Sequence, residues 1–246
     1  MKAPESRHFL ILGATGSSGL LTVQLALGRR HSVTIYARSP HKLPEEITSN
    51  PLVTVVKGAP RCMRLVVYHY SMLQLGELTQ EDAFESCFLP KEGVAPIYGV
   101  ISALGPKVGQ PSGNPLAAGY EVLLRLVHKY SIQRIVLLST VSLSSPEDRF
   151  SIIREILVAG IKIIGYTAWT DVVAIGKLMQ SSAATGLDVT LARVATLNDA
   201  DGGSLKVGFI GDGKVGWMLA RRDLAIFFVD EAEDPKWAGQ LPFISS

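Results

Sequence analysis

The residues best suited to hold a ligand form a glycine-rich turn near the start of the sequence. Gly13, Gly16 and Gly19 follow an apolar run at 9–12 and open a stretch of helical length. In such a turn the first glycine permits the bend, the second lets the backbone approach a pyrophosphate, and the third lets helix pack on strand. Free N–H groups at the start of the helix then bind the phosphates. This context predicts a dinucleotide-binding site, the alternative being an ordinary glycine-rich β–α turn.

The residues after the second predicted strand indicate which dinucleotide binds. Sites for NAD usually place an Asp or Glu there, which accepts hydrogen bonds from the adenosine ribose. Here the strand at 32–37 is followed by Arg38, Ser39 and Lys42, and residues 36–42 contain no carboxylate. A guanidinium binds a phosphate through two parallel hydrogen bonds. We therefore expect Arg38 to bind the 2′-phosphate of NADP with help from Ser39 and Lys42. The alternative is that these residues are only surface charges.

Three further segments leave the carboxyl ends of predicted strands, where the ligands of open α/β sheets lie. Ala103, Leu104 and Gly105 end the segment 102–105, whose small residues would let the cofactor pass closely. Residues 139–142 place hydroxyl groups near a nicotinamide, and residues 194–198 should border the ring and the substrate. Because Ser and Thr favour turns and strand ends, a structural role for any one hydroxyl is equally consistent with the sequence.

The sequence lacks the pair that commonly donates the proton in short-chain dehydrogenases, a Tyr four residues before a Lys on one helical face. None of the seven tyrosines has a Lys at that spacing. Tyr166 and Lys177 are eleven residues apart. On one helix they would share a face but lie ~16 Å apart. We therefore expect either hydride transfer that takes its proton from solvent or from a hydroxyl, or no reaction.

The elements that would position these residues follow an alternating pattern. Apolar runs rich in branched residues alternate with segments of helical length, as in βαβ units around a parallel sheet. The strands are predicted at 9–12, 32–37, 53–56, 99–104, 134–138 and 188–193. The helices are predicted at about 18–27, 117–130, 171–184 and 222–231. Since no internal repeat or linker divides the sequence, we expect residues 1–246 to form one α/β domain, a Rossmann-type doubly wound parallel sheet with helices on both faces.

The composition restricts the class of protein. The apolar share of 47% suits a well-covered core, and a net charge of +2 without long basic runs favours neither a nucleic-acid nor a membrane partner. Two cysteines and five scattered histidines offer no metal-ligand spacing. The segment 208–215 nearly matches a P-loop, but Val215 cannot supply the hydroxyl that ligates Mg²⁺. With no signal peptide, and with Lys162 interrupting the apolar stretch 156–169, we expect a cytoplasmic protein, a monomer or weak homodimer.

Six segments of the sequence together resemble a known family. They lie at 13–19, 38–44, 100–105, 135–140, 222–225 and 237–245. The resemblance is to the NmrA-like group of atypical short-chain dehydrogenases and covers about residues 8–245. Among characterised relatives the sequence is similar to the flavin and biliverdin-IXβ reductases, which reduce their substrates with NADPH. The resemblance implies cofactor contacts from Gly13, Thr15, Gly16, Ser17, Ser18, Arg38, Gly105 and Ser139.

The helix predicted at 171–184 bears on the substrate. Lys177 falls where this family often keeps a lysine near the nicotinamide ribose, whereas the histidines that flavin reductases carry on this helix are absent. Flavin and biliverdin are therefore not favoured. We expect a reductase of a small, conjugated or aromatic organic substrate that uses NADPH, with Thr140, Ser142 and Lys177 as catalytic candidates. The alternative is a non-catalytic NADP(H)-sensing NmrA-like protein that regulates or binds a partner.

One segment departs from the resemblance. Relatives run from the third strand through Val-x-Gly directly into Asp/Glu-Leu, whereas here residues 59–76 stand between Gly58 and Glu77. Removing these eighteen residues restores the relatives' pattern. An insertion of whole codons keeps the reading frame of the sequence that follows, as a translated retained intron would have to do. We interpret residues 59–76 as such a segment, with a genuine insertion or an extra edge strand as the alternative.

Overall fold

The structure, a computed structural model, describes residues 5–58 and 78–246. Its strands are β1 His8–Leu12, β2 Ser32–Ala37, β3 Val53–Lys57, β4 Gly99–Ser102, β5 Arg134–Thr140, β6 Asp188–Val194, β7 Thr196–Asn198, β8 Lys206–Gly208, β9 Met218–Ala220 and β10 Phe243–Ser245. Eight of them form one sheet in the order β3-β2-β1-β4-β5-β6-β10-β8, and β7 pairs with β9. The segment 59–76 lies outside the described residues, so its interpretation as an insertion stays a prediction.

The centre of the large sheet is apolar and parallel. All five residues of β1 and all four of β4 are buried, as strands covered on both faces should be. β1 pairs in parallel with β2 and β4, so that Leu12 lies between Tyr36 and Ser102. Within the sheet, only the pair of β10 with β8 is antiparallel among the described strands. The order of the first six strands is that of Rossmann-type folds, in which the order reverses between β1 and β4.

Helices cover both faces of the sheet. The longer ones are α1 Ser17–Gly28, α4 Pro115–Lys129, α5 Ile152–Ile164, α6 Tyr166–Met179 and α7 Arg221–Glu233, and the short ones are α2 Glu45–Thr48 and α3 Glu81–Glu85. On one face Val23 of α1 and Phe227 of α7 pack with Ile11. On the other, Leu123 of α4 and Val172 of α6 pack with Leu12 and the rest of that core. The doubly wound, mostly parallel sheet with helices on both faces that the sequence predicts is thereby confirmed.

The boundaries differ from the predicted ones where the chain changes direction. β4 ends at Ser102 rather than at 104, because the chain there leaves the sheet for a loop. α6 begins at Tyr166 rather than at 171 and ends at Met179, with a 3₁₀ turn at Ser182–Ala184. α5 was not predicted, although the Ser151 side chain accepts a hydrogen bond from the backbone N–H of Arg154 and caps it. The strands β7 to β10 were not predicted either, since three residues show no periodicity.

The apolar helices of the described chain are short for a membrane span. In the described part of the chain, no single helix is long and apolar enough to cross a bilayer. Taken together, α5 and α6 meet the length and composition of a span, but their axes are bent by 119°. The segment 208–215, which nearly matches a P-loop in sequence, is a turn that begins at the end of β8, and Gly211 and Gly213 there have positive φ angles of 80° and 77°.

Candidate functional site

A crevice lies beside Gly13 where the strand order reverses, between the carboxyl ends of β1 and β4. There the backbone N–H of Ala103 donates to the carbonyl of Leu12 over 3.0 Å, so the two segments leave the sheet side by side. Gly13 has a φ of 81°, and a Cβ atom on it would lie 3.0 Å from the carbonyl carbon of Ala103. Glycine is required at this bend, since a side chain would meet both left-handed strain and the neighbouring backbone.

The turn after Gly13 closes on the carbonyl oxygen of that residue. The N–H of Gly16 donates to this oxygen over 3.0 Å, and a Cβ atom on Gly19 would overlap it. α1 begins at Ser17 with no acidic residue in its first turn and, as far as the described residues go, no side chain capping its N–H groups. These groups have no partner within the helix and carry a partial positive charge. This end of α1 can therefore bind a phosphate.

A pocket opens between this turn and the ends of β2 and β4. Its wall contains five residues predicted to bind the cofactor, Gly13, Thr15, Arg38, Leu104 and Gly105. The other wall residues are Leu12, Tyr36, Ala37, Leu78, Pro106, Lys107, Gln110, Pro111, Pro115 and Leu116. This described wall thus carries two cations, Arg38 and Lys107, and no carboxylate. Its charge favours an anionic ligand.

The remaining residues predicted at the cofactor, apart from those of β5 and α6, adjoin the wall without forming it. Gly16, Ser17, Ser18 and Gly19 continue the glycine turn, Ser39 and Lys42 follow Arg38 in the sequence, and Ala103 lies against Gly13. Ser18 and Gly19 are buried, so only their backbone could contact a ligand. Ser39 precedes a 3₁₀ turn at Pro40–Lys42, in which Lys42 is exposed.

Asp171 holds the loop that follows Gly105 against the pocket, an arrangement that the sequence analysis missed. This fully buried residue lies on α6, and its Oδ2 accepts hydrogen bonds from Nε2 of Gln110 at 2.8 Å and from the N–H of Leu116 at 3.1 Å. Its Oδ1 accepts from the N–H of Ala117 at 2.9 Å. Asp171 therefore caps α4 and fixes two wall residues. The sequence carried one signal for this arrangement: Asp171 is a carboxylate among apolar residues, and a buried charge needs hydrogen-bond partners.

The predicted hydroxyl groups lie at the end of β5, beside β4. Oγ1 of Thr140 accepts a hydrogen bond from the N–H of Ser142 over 3.1 Å. Both Ser139 and Ser142 are buried, and Oγ of Ser142 has no hydrogen-bond partner within the described residues. Thr140 is half-buried, so it is the residue of the three that a ligand could contact most readily. A Cβ atom on Gly105 would lie 4.0 Å from Cδ2 of Leu138, which places the pocket rim next to this strand end.

Lys177 is not brought to the pocket. It is exposed, lies in the last turn of α6 and is absent from the described pocket wall. Six residues separate it from Asp171. At 1.5 Å per residue, the two positions are ~9 Å apart along the helix. Asp171 contacts the loop that forms the pocket wall, whereas Lys177 lies nearer the C-terminal end of the helix and is farther from the crevice.

A buried hydrogen bond supports the floor of the pocket. The hydroxyl groups of Tyr120 on α4 and Ser102 on β4 lie 2.6 Å apart. The N–H of Leu104, a wall residue, is 3.4 Å from Oγ of Ser102 and donates to it. Burial raises the pKa of Tyr120, so this phenol remains neutral and serves as a structural hydrogen-bond partner.

Solved structures share this fold at low sequence identity. A short-chain dehydrogenase/reductase (wide type) from Veillonella parvula in complex with NADP is 14% identical with a TM-score of 0.70, covering 98% of this chain and 95% of that one. ChuY, an anaerobilin reductase from Escherichia coli O157:H7, is 16% identical with a TM-score of 0.65, covering 97% and 96%. A Rossmann-fold NAD(P)-binding family protein from Shigella flexneri is 16% identical with a TM-score of 0.64, covering 98% and 94%.

These likenesses establish the architecture of the chain. No family model matches the sequence, and neither does any curated protein. The matches to the Veillonella parvula and Shigella flexneri proteins cover 98% of this chain and 94–95% of the other two chains. The resemblance to short-chain dehydrogenases is therefore confirmed at the level of the fold. At identities of 14–16% the chemistry of the site rests on the residues of this chain.

Proposed function

We propose that this protein is an NADPH-dependent oxidoreductase that reduces a small, conjugated or aromatic organic substrate at the crevice between β1 and β4. The observation that carries the proposal is the pocket wall, in which Arg38 and Lys107 accompany the glycine turn and no described wall residue is acidic. Dinucleotide cofactors bind at such a crevice in open α/β sheets. The neighbour from Veillonella parvula, which binds NADP, supports the same class of ligand.

The glycine turn fits the pyrophosphate. Gly13 and Gly19 have no room for a Cβ atom, which shows that strand, turn and helix are packed as closely as backbone allows. At Gly16 a Cβ atom would lie 3.4 Å from the carbonyl oxygen of Gly13, and Gly16 is exposed. The bare backbone there would let the pyrophosphate approach the N–H groups of Ser17 and Ser18, with the N-terminal end of the helix favouring its charge.

Arg38 is proposed to bind the 2′-phosphate that distinguishes NADPH from NADH. It follows β2, at the position where an NAD site would hold an acidic residue. Its guanidinium can make two parallel hydrogen bonds to a phosphate, and Lys107 across the same pocket adds a second positive charge. Ser39 and Lys42, which follow Arg38, remain proposed helpers. Lys177 is not assigned to the ribose, because it is exposed in the last turn of α6, outside the described wall.

The bound nicotinamide would supply a hydride to the substrate. The contribution of the protein is then to hold the acceptor carbon within ~3–3.5 Å of the donor and to stabilise developing charge. Ser139, Thr140 and Ser142 stand at the strand end next to the pocket rim, and Thr140 is the least buried of the three. These hydroxyl groups orient the substrate, and the proton comes from solvent.

A non-catalytic NADP(H)-sensing protein is the second candidate. It is favoured by the absence of the Tyr–Lys pair that usually donates the proton. Tyr166 and Lys177 cannot form this pair, because they lie at opposite ends of α6. Oxidation of NADPH, followed by absorbance with a panel of quinones, flavins and enones, separates the two candidates. We expect turnover with at least one class. Tight binding of NADPH without turnover of any acceptor would support the sensor, and failure to bind NADPH would refute both.

A further inference from the structure

The exposed apolar side chains of the described structure are concentrated around α5. Twelve large apolar side chains are exposed, and seven of these fall between residues 150 and 166. They are Phe150, Ile152, Ile153, Ile156, Ile163, Ile164 and Tyr166, with exposed fractions between 51% and 85%. Single exposed apolar residues are common on protein surfaces, but a group of this size, five of them on α5 and two beside its ends, marks an interaction site.

The exposed residues of α5 form a stripe opposite its packed face. At 100° per residue, Ile152, Ile156 and Ile163 point in nearly the same direction, with Ala159 and Gly160 between them. The other side of the helix buries Val158, with Leu157 and Ile161, against Val141 and its neighbours. α5 is therefore apolar on two faces, of which the protein itself covers one. We call the face with Ile152, Ile156, Ala159, Gly160 and Ile163 the α5 stripe.

The size of the stripe matches what a stable interface requires. With the flanking Phe150, Ile153, Ile164 and Tyr166, whose exposed fractions are 51–83%, it presents an apolar area on the order of 800 Å², which is also what each partner contributes to an interface of standard size. The largest apolar patch of a typical monomer is roughly 300–600 Å². A Cβ atom on Gly160 would meet no atom within 4 Å, so the middle of the stripe is open to another backbone.

Charge favours a second copy of this chain over a membrane surface. The stripe itself carries no ionisable side chain, so it is complementary to itself, as a two-fold interface must be. Helices that lie on membranes carry several Lys and Arg residues along their polar face. Beside the stripe stand one acidic and one basic residue, Glu155 and Lys162, and Nζ of Lys162 lies 4.5 Å from the ring centroid of Trp169.

We propose that the α5 stripe is a homodimer interface in which α5 of one copy packs antiparallel on α5 of the other, about a two-fold axis near Gly160. Small residues at the crossing point let the two helices approach closely, and the isoleucines on either side of Ala159 and Gly160 pack against their counterparts. The proposal goes beyond the reductase function. It would also brace the site, because Nε of Arg154 on α5 donates to the carbonyl of Val141, one residue after β5.

The oligomeric state in solution tests this proposal. Light scattering coupled to gel filtration, over a wide range of concentrations, should give the mass of a dimer for the unchanged full-length chain. Ile156→Glu and Ile163→Glu should each give a monomer with an unchanged circular dichroism spectrum. The matched control is Leu89→Glu, since Leu89 is also an exposed apolar residue, 50% exposed, outside the stripe. This control should remain a dimer.

Cross-linking tests the geometry independently of the charged variants. In a Cys62→Ser background, Gly160→Cys lies at the axis and should form a disulfide-linked dimer on mild oxidation. Asp201→Cys, at an exposed position away from α5, should not. A monomer at every concentration, or a dimer that Ile156→Glu does not dissociate and Gly160→Cys does not cross-link, overturns the proposal. So does a monomer that sediments with vesicles of anionic phospholipid and loses this binding in Ile156→Glu, which would assign the stripe to a membrane surface.

Discussion

Oδ2 of Asp171 accepts a hydrogen bond from Nε2 of Gln110 over 2.8 Å, and this contact ties α6 to the wall of the candidate cofactor pocket. The same carboxylate caps α4 through the N–H groups of Leu116 and Ala117. A negative charge at a helix N-terminus is favourable, and here it is also shielded from water. One side chain thus supports both the fold and the shape of the pocket.

Asp171→Ala should weaken both stability and cofactor binding. Because three donors, one of them buried, lose their acceptor, we expect the free energy of unfolding to fall by roughly 2–4 kcal/mol. Gln110→Ala removes the hydrogen bonds of this side chain with Asp171, Thr167 and Lys107 but leaves the cap of α4 in place, so it should destabilise the fold less than Asp171→Ala while weakening NADPH binding several-fold. Urea denaturation and fluorescence titration measure the two effects. Asp201→Ala, at an exposed position, is the control and should change neither. Full stability of Asp171→Ala would show that the cap contributes nothing.

Gly19→Ala and Gly28→Ala, two substitutions in α1, should have opposite effects. A Cβ atom on Gly19 overlaps the carbonyl of Gly13, so Gly19→Ala should cost roughly 1–3 kcal/mol and abolish NADPH binding. At Gly28 a Cβ atom meets nothing within 4 Å, and Gly28→Ala should leave binding intact and stabilise the helix by up to about 1 kcal/mol. Thermal unfolding with and without NADPH compares them. Normal binding by Gly19→Ala would argue against the proposed phosphate site.

The sequence predicts the central fold well, because local patterns determine it. Each of the six central strands is an apolar run, and the glycine turn adjoins one of them in the sequence. α5 was missed although Arg154, Glu155 and Lys162 give it a polar side, because the apolar stretch 156–169 was weighed only as a candidate membrane span. The short strands β7 to β10 depend on partners distant in the sequence, such as β6 for β10.

The site is predicted less completely than the fold. Gly13, Arg38 and Gly105 directly follow strands, so their place at the sheet edge could be predicted. Gln110 and Asp171 are 61 residues apart in the sequence, so no local sequence pattern predicts their contact. The role of Lys177 came from the resemblance alone, and the position of α6 leaves this residue outside the described wall.

His8 should make stability depend on pH. Burial lowers its pKa, and the ring bonds to the carbonyl of Ala95 through Nδ1 and to the hydroxyl of Thr34 through Nε2 at 2.9 Å. As the pH falls below about 6.5, the unfolded chain takes up a proton that the folded chain resists, so stability is lost by up to about 1.4 kcal/mol per pH unit. Urea denaturation between pH 5 and about 7.5 should show a shallower slope for His8→Gln than for the unchanged protein. His41→Gln, at an exposed position, serves as the control. An equal slope in His8→Gln would assign the dependence to other groups.

Thr140→Val should lower turnover modestly once a substrate is known. A hydroxyl near its ordinary pKa is a poor acid at neutral pH, so Thr140 orients the substrate and does not supply the proton. The loss of one hydrogen bond predicts a decrease of roughly 10-fold to 100-fold. Lys177→Met should change neither turnover nor NADPH affinity. Single-turnover rates decide the matter, and a loss beyond about a thousandfold with unchanged cofactor affinity would identify Thr140 as the acid.

The most direct test of the proposed cofactor site is a comparison of NADPH and NADH by fluorescence titration. We predict that NADPH binds at least about tenfold more tightly, a preference of ~1.4 kcal/mol or more. Arg38→Ala should remove most of this preference while leaving NADH binding nearly unchanged, whereas the control Arg222→Ala should keep it. Equal dissociation constants for NADPH and NADH in the unchanged protein would contradict the assignment of Arg38 to the 2′-phosphate.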